Sequence, residues 1–174
     1  MEKIIRWINE NNLRRNRILL SVIAATCYIL MYLMMTNVIG SLDVYYMLDM
    51  EFFYTGDEFL IILGSISAEQ ANLYQVLHYI DYVFIFTFYP VYVLILDKFV
   101  NRNKKFILLP LLAMLFDFLE NLIIDINIHS GVSGFFASLS GIFTLFKFVF
   151  IIAGAVLLIL NYVQNKKRKS WQNR

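Results

Sequence analysis

The sequence predicts an all-α membrane protein: a bundle of four transmembrane helices with a short amphipathic helix in the first extracellular loop. Three observations predict it. The 174-residue chain is 60% hydrophobic and 17% aromatic, against roughly 45–50% apolar in a soluble domain. Its mean hydropathy is +0.65. Its apolar residues also gather in four runs close to the ~20 needed to cross a bilayer. One soluble core cannot absorb so much apolar surface, so lipid must cover much of it. The length fits a single integral membrane domain, 1–174.

The expected spans are 18–38, 75–96, 106–128 and 138–163. The first follows Arg14, Arg15 and Arg17, as a signal peptide's apolar region would. It exceeds the ~7–15 residues of such a region, and no small-x-small cleavage site follows. It therefore reads as a retained helix. It holds Cys27, the one cysteine, which reads as a small buried apolar residue. A single cysteine forms no intramolecular disulfide and no Cys-based zinc motif.

The first external loop, 41–74, mixes Asp43, Asp49, Glu51, Asp57, Glu58 and Glu69 with Tyr45, Tyr46, Phe52, Phe53 and Tyr54. The aromatics suit a membrane interface. "TGDE" at Thr55–Glu58 has capping-box spacing. It predicts a short helix through "FLIIL" that stops at Gly64. "SAEQ" at Ser67–Gln70 repeats the device. The second long helix should therefore begin near Ala68 and enter the membrane as one rod. The short helix is expected across the outer ends of the bundle, as a packing element or as a lid. Pro90 lies inside the second span, where it deprives the Phe86 carbonyl of its donor and predicts a kink. Pro110 falls in the first turns of the third span, where proline costs less.

Charge orients the bundle. Fourteen of the fifteen Lys and Arg fall before the first span, between the second and third, or after the fourth. The "KKRK" tail at Lys166–Lys169 is part of this asymmetry. By the positive-inside rule both termini are cytoplasmic and the protein is a multi-pass protein of the plasma membrane. A net charge of +2 gives no basis for nucleic-acid binding.

The fifteenth basic residue is Lys147, inside the fourth span. It continues a face with Ser140 and Thr144. In the third span Asp117, Glu120 and Asn121 share a face, because i, i+3 and i+4 are neighbours on a helix. Asp125 extends that stripe outward. In the second span Tyr74, His78, Asp81 and Tyr82 share a face, continued by Ile85, Phe88 or Tyr89, and Tyr92. At ~1.5 Å per residue, Asp81, Glu120 and Lys147 come to one level in the outer half of the bilayer. The first span contributes Tyr28, Tyr32 and Thr36 along one face, and no charge. A charge at the centre of a span costs about 2.5–3.5 kcal/mol, so such groups turn inward and pair. Lys147 with Glu120 or Asp117 is the first expected pair. One lysine cannot neutralise Asp81, Asp117 and Glu120 together. At least one carboxyl must be protonated, hold a cation, or face water.

Asp81, Asp117, Glu120, Asn121 and Lys147 are therefore the expected centre of an outward-facing polar pocket. His78, Tyr82 and Thr144 stand beside them. The pocket's expected occupant is a small ligand, a lipid, or a proton or cation. Two alternatives stay open: carboxylate acid–base catalysis on a lipid-like substrate, and a structural subunit whose ion pairs fix helix register. Two histidines and no cysteine cluster make a poor zinc set, so no metal and no cofactor are expected. "HSGVSG" at His129–Gly134 is a Gly/Ser loop rather than a nucleophile elbow. No internal repeat of the inverted-transporter kind is present. Ala137, Gly141, Gly154 and Ala155 would let the fourth span pack closely, within the chain or in a homo-oligomer. Membrane lipid is the expected general partner.

The order Tyr74, Asp81, Pro90, "LP" at Leu109–Pro110, "DFLEN" at Asp117–Asn121, then Thr144 and Lys147 resembles a family of small bacterial four-helix membrane proteins with no established activity. "YTGDEFLIILG" resembles their outer loop. The resemblance covers most of 41–160 and implies an architecture and a polar site, without a function. The layout is also similar, at the level of fold, to the sterol-isomerase and sigma-2-receptor superfamily. That likeness implies acidic residues facing an apolar pocket.

Overall fold

The computed structural model describes residues 14–39, 52–65, 67–99, 104–130 and 134–172, and among them every regular element is helical. The elements are α1 (Arg14–Ile39), α2 (Gly56–Ser65), α3 (Ala68–Phe99), a 3-10 turn (Lys104–Ile107), α4 (Leu108–Ser130) and α5 (Gly134–Gln172). The expected loop groups Asp43, Asp49, Glu51, Tyr45 and Tyr46 lie outside the described residues. So do Lys3, Arg6, Arg102 and Arg174.

Three helices are long and apolar enough to cross a membrane: Ala68–Phe99, Lys105–His129 and Gly134–Lys166. In α1 the apolar stretch is shorter, Ile18–Met34. α4 packs between α3 and α5, while α1 lies against α3 and α2 against α5. α1 buries Ala24 and Cys27. Its Tyr28 and Tyr32 are exposed, so its expected tyrosine face does not join the polar layer.

Both capping boxes form. Thr55 N donates to Glu58 Oε2 at 2.7 Å, and Glu58 N donates back to Thr55 Oγ1 at 3.3 Å. These donors hold the exposed Glu58 carboxyl below its ordinary value, the Thr55 backbone N–H having the larger effect. Ser67 N donates to Gln70 Oε1 at 2.7 Å, and Gln70 N to Ser67 Oγ at 3.3 Å. That second box fixes the start of α3 at Ala68. α2 ends at Ser65, one residue past Gly64, with Ser65 Oγ donating to Ile62 O at 2.7 Å. α3 stays one helix through Pro90.

Glycine sets two close approaches on α5. A Cβ at Gly141 would sit 2.0 Å from the Tyr54 carbonyl oxygen, so the chain before α2 lies directly on the α5 backbone. A Cβ at Gly154 would sit 2.2 Å from Tyr92 Oη, which donates to Ile151 O at 2.8 Å. With buried Ala137, these small residues serve contacts within the chain.

Two of the apolar clusters in the bundle flank its polar positions. Near the α2 end, Tyr54, Phe59, Ile124 and Ala137 pack with Ile62, Tyr74 and Ile128. Toward the other end, Ile85, Tyr89, Tyr92, Leu96 and Ala113 pack with Phe150, Ile151 and Leu158, among others. Positions between them on α3, α4 and α5 carry the polar residues.

Candidate functional site

The polar stripe of α4 faces both neighbouring helices. Toward α5, Lys147 Nζ sits 2.7 Å from Glu120 Oε2 and 3.1 Å from Asp117 Oδ1. Lys147 thus takes both of its expected partners. Thr144 Oγ1 donates to Glu120 Oε1 at 2.5 Å and lies 3.0 Å from Ser140 O. Glu120 and Thr144 are fully buried, and Lys147 and Asp117 nearly so. Lys147 Nζ also lies 5.2 Å from the centre of the Phe148 ring, within reach of a cation–π attraction.

Toward α3, Asn121 Nδ2 donates to Asp81 Oδ2. Tyr89 Oη donates to Asp117 Oδ2 at 2.8 Å. One turn nearer the α2 end, His78 Nδ1 is 2.7 Å from Asp125 Oδ1 and Tyr82 Oη donates to Asp125 Oδ2 at 2.8 Å. His78 is fully buried. The side chain of Asp125 is 18% exposed, which makes it the wet edge of the layer. Beyond it, His129 Nδ1 is 2.7 Å from Asp125 O and His129 Nε2 is 2.9 Å from Gln75 Nε2. His129 is exposed, so a polar seam between α3 and α4 leads from the surface toward Asp125.

All eight expected site residues therefore lie in this layer. They form two clusters, Lys147–Asp117–Glu120–Thr144 and His78–Tyr82 with Asp125. The Asp81–Asn121 pair lies between them, with Asn121 one helical turn from both Asp117 and Asp125 on α4. Two members were outside the expected pocket. Asp125 reads from sequence as an edge residue, yet it is the common partner of His78 and Tyr82. Tyr89 stood as one of two candidates, seven residues after Tyr82. The i+7 step would have favoured it over Phe88, because two helical turns return to the same face.

The charge balance is uneven. Asp81, Asp117, Glu120 and Asp125 bring four negative charges when ionised, against Lys147 and, when protonated, His78. Buried carboxylates keep their charge only when hydrogen bonds and counterions replace water. Tyr82, Tyr89, Thr144 and Asn121 supply neutral donors to this end. Among the described residues, no three His, Cys, Asp or Glu side chains are placed to hold a metal ion. Compared with known proteins, the chain matches no family model, no curated protein and no solved structure.

Proposed function

We propose that this is a multi-pass plasma-membrane protein, with α1 as a fourth span and both termini cytoplasmic, whose polar layer binds a small cation, the proton included, from outside. One observation carries the proposal: four carboxylates, Asp81, Asp117, Glu120 and Asp125, share one polar layer between two apolar clusters, and Lys147 holds two of them. Ionised carboxylates gathered in low dielectric repel one another, and a cation or proton relieves that cost. Access runs along the seam of Gln75, His129 and Asp125, on the side that the charge asymmetry makes external.

Infrared difference spectroscopy of the full chain in lipid nanodiscs tests this. Shifting from alkaline to acidic buffer should produce a protonated-carboxyl band, and that band should shrink in Glu120→Gln and in Asp81→Asn. A carboxyl signal that neither substitution changes would falsify the proposal.

A second reading has its own support. Asp117, Glu120 and Asp125 each have both oxygens engaged by groups of the chain. Such a network would fix helix register without any ligand. In that case the carboxyl band stays absent across the same range.

A further inference from the structure

The Asn121 side chain is fully buried. Its Nδ2 is committed to Asp81 Oδ2, since an ionised carboxylate only accepts. Its Oδ1 is buried and, among the described residues, has no hydrogen-bond partner. An amide oxygen left so costs about 1–3 kcal/mol, and native interiors seldom tolerate it. The polar neighbours of Asn121 along the α4 stripe are Asp117, Glu120 and Asp125, which are acceptors when ionised. The ammonium of Lys147 is already shared by Glu120 and Asp117. Among the described residues none supplies the missing donor, which leaves the position open to a donor from outside, and the carboxylate of Asp81 beside it suits a positive one.

We infer that the cation proposed above has its own position at Asn121 Oδ1 beside Asp81, and that its occupant is a small hydrogen-bond-donating cation. A hydrated proton and an ammonium group share this chemistry. The proton can also settle on Asp81 itself. A protonated Asp81 donates, and the amide then presents Oδ1 to it rather than Nδ2. The titratable and charged groups around this position come from every helix packed on it. They are Cys27 from α1, His78, Tyr82 and Tyr89 from α3, Asp117, Glu120 and Asp125 from α4, and Lys147 from α5. The inference rests on the proposed cation-binding function and adds to it a place and a class of ligand.

Thermal unfolding of the full chain in nanodiscs tests it, at fixed ionic strength and mildly alkaline pH. The chlorides compared are ammonium, methylammonium, tetramethylammonium, sodium and potassium. Tetramethylammonium carries the charge without an N–H. Ammonium and methylammonium should raise the midpoint by roughly 3 °C or more above tetramethylammonium. Acidification without an amine should give a similar rise when the proton is the occupant. An amine increment without an acid response assigns the position to ammonium, and the reverse assigns it to the proton. Asp81→Asn keeps the size of the side chain and should lose both responses. Equal midpoints in all five salts and at both pH values overturn the inference, as does a larger rise in sodium or potassium. The wild-type comparison decides even where a variant fails to fold. A flat salt and pH series beside an infrared signal that still depends on Glu120 discards this position and leaves the proposed function standing. Loss of both signals discards both.

Discussion

Lys147 on α5 holds Glu120 on α4 at 2.7 Å and Asp117, three residues before it, at 3.1 Å. One ammonium thus joins two carboxylates one turn apart. Removing it leaves two buried acids without their cation. Lys147→Met should destabilise the chain by about 3–5 kcal/mol, the usual cost of breaking a buried pair from one side. Adding Glu120→Gln should recover a large part of that loss, because one of the stranded charges is gone. Denaturant or thermal unfolding in nanodiscs gives the comparison. A double variant no more stable than Lys147→Met would show that Glu120 is not the group the lysine neutralises.

Two tyrosines of α3 should differ in what their hydroxyls contribute. Tyr89 Oη donates to the Asp117 carboxylate, and Tyr92 Oη donates to the Ile151 carbonyl. A hydrogen bond to a charged group is worth about 1.5–3 kcal/mol, and one to a neutral acceptor about 0.5–1.5. Tyr89→Phe should therefore cost more than Tyr92→Phe in the same unfolding assay. The opposite order would mean that Asp117 is neutral or otherwise satisfied.

Gly141 and Gly64 make a matched pair for alanine. At Gly141 the added Cβ meets the Tyr54 carbonyl oxygen at 2.0 Å, whereas at Gly64 nothing lies within 4 Å. Gly141→Ala must push the 52–56 segment off α5, at about 1–3 kcal/mol. Gly64→Ala in a helix should be neutral or stabilising by about 0.4–1 kcal/mol. Hydrogen exchange of α2 amides reads both: faster in Gly141→Ala, unchanged or slower in Gly64→Ala.

The cap of α2 should respond to pH in one direction. The Glu58 carboxyl is held below its usual value of 4.5 by Thr55. Its contribution to the cap is full above that value and fades as pH falls through the lowered one. Amide protection at Glu58 and Phe59, corrected for intrinsic exchange, should drop at acid pH in the wild-type chain. It should be flat with pH in Glu58→Gln, whose amide oxygen can still accept from Thr55 N but does not titrate.

Much of this layout was legible from spacing alone. Both capping boxes have the four-residue signature that forms the reciprocal bonds, so the starts of α2 and α3 followed from it. The level shared by Lys147 and Glu120 followed from helical rise, since each is a similar number of residues from the α4–α5 connection. The role of Asp125 did not follow. Position along a helix gives depth, while its partners depend on how α3 is rotated against α4, which periodicity leaves open. Tyr28 and Tyr32 failed for a related reason. A polar face on one helix says nothing about what it meets: Ala24 and Cys27 are the buried residues of α1, and Tyr28 lies beside the Phe84 ring of α3 rather than a polar group.

The distribution of partners across α4 and α5 bears on how the chain is made. α4 carries Asp117, Glu120 and Asp125, and the lysine that balances two of them is synthesised later, on α5. Each lone charge at a span centre costs about 2.5–3.5 kcal/mol during insertion. Only the three residues 131–133 separate the two helices, so the expected entry is as a hairpin rather than one helix at a time. A chain truncated after residue 133 should leave α4 poorly inserted, and glycosylation-site mapping in microsomes would register it. The ion pair would then be a condition of membrane insertion before it is part of any binding site.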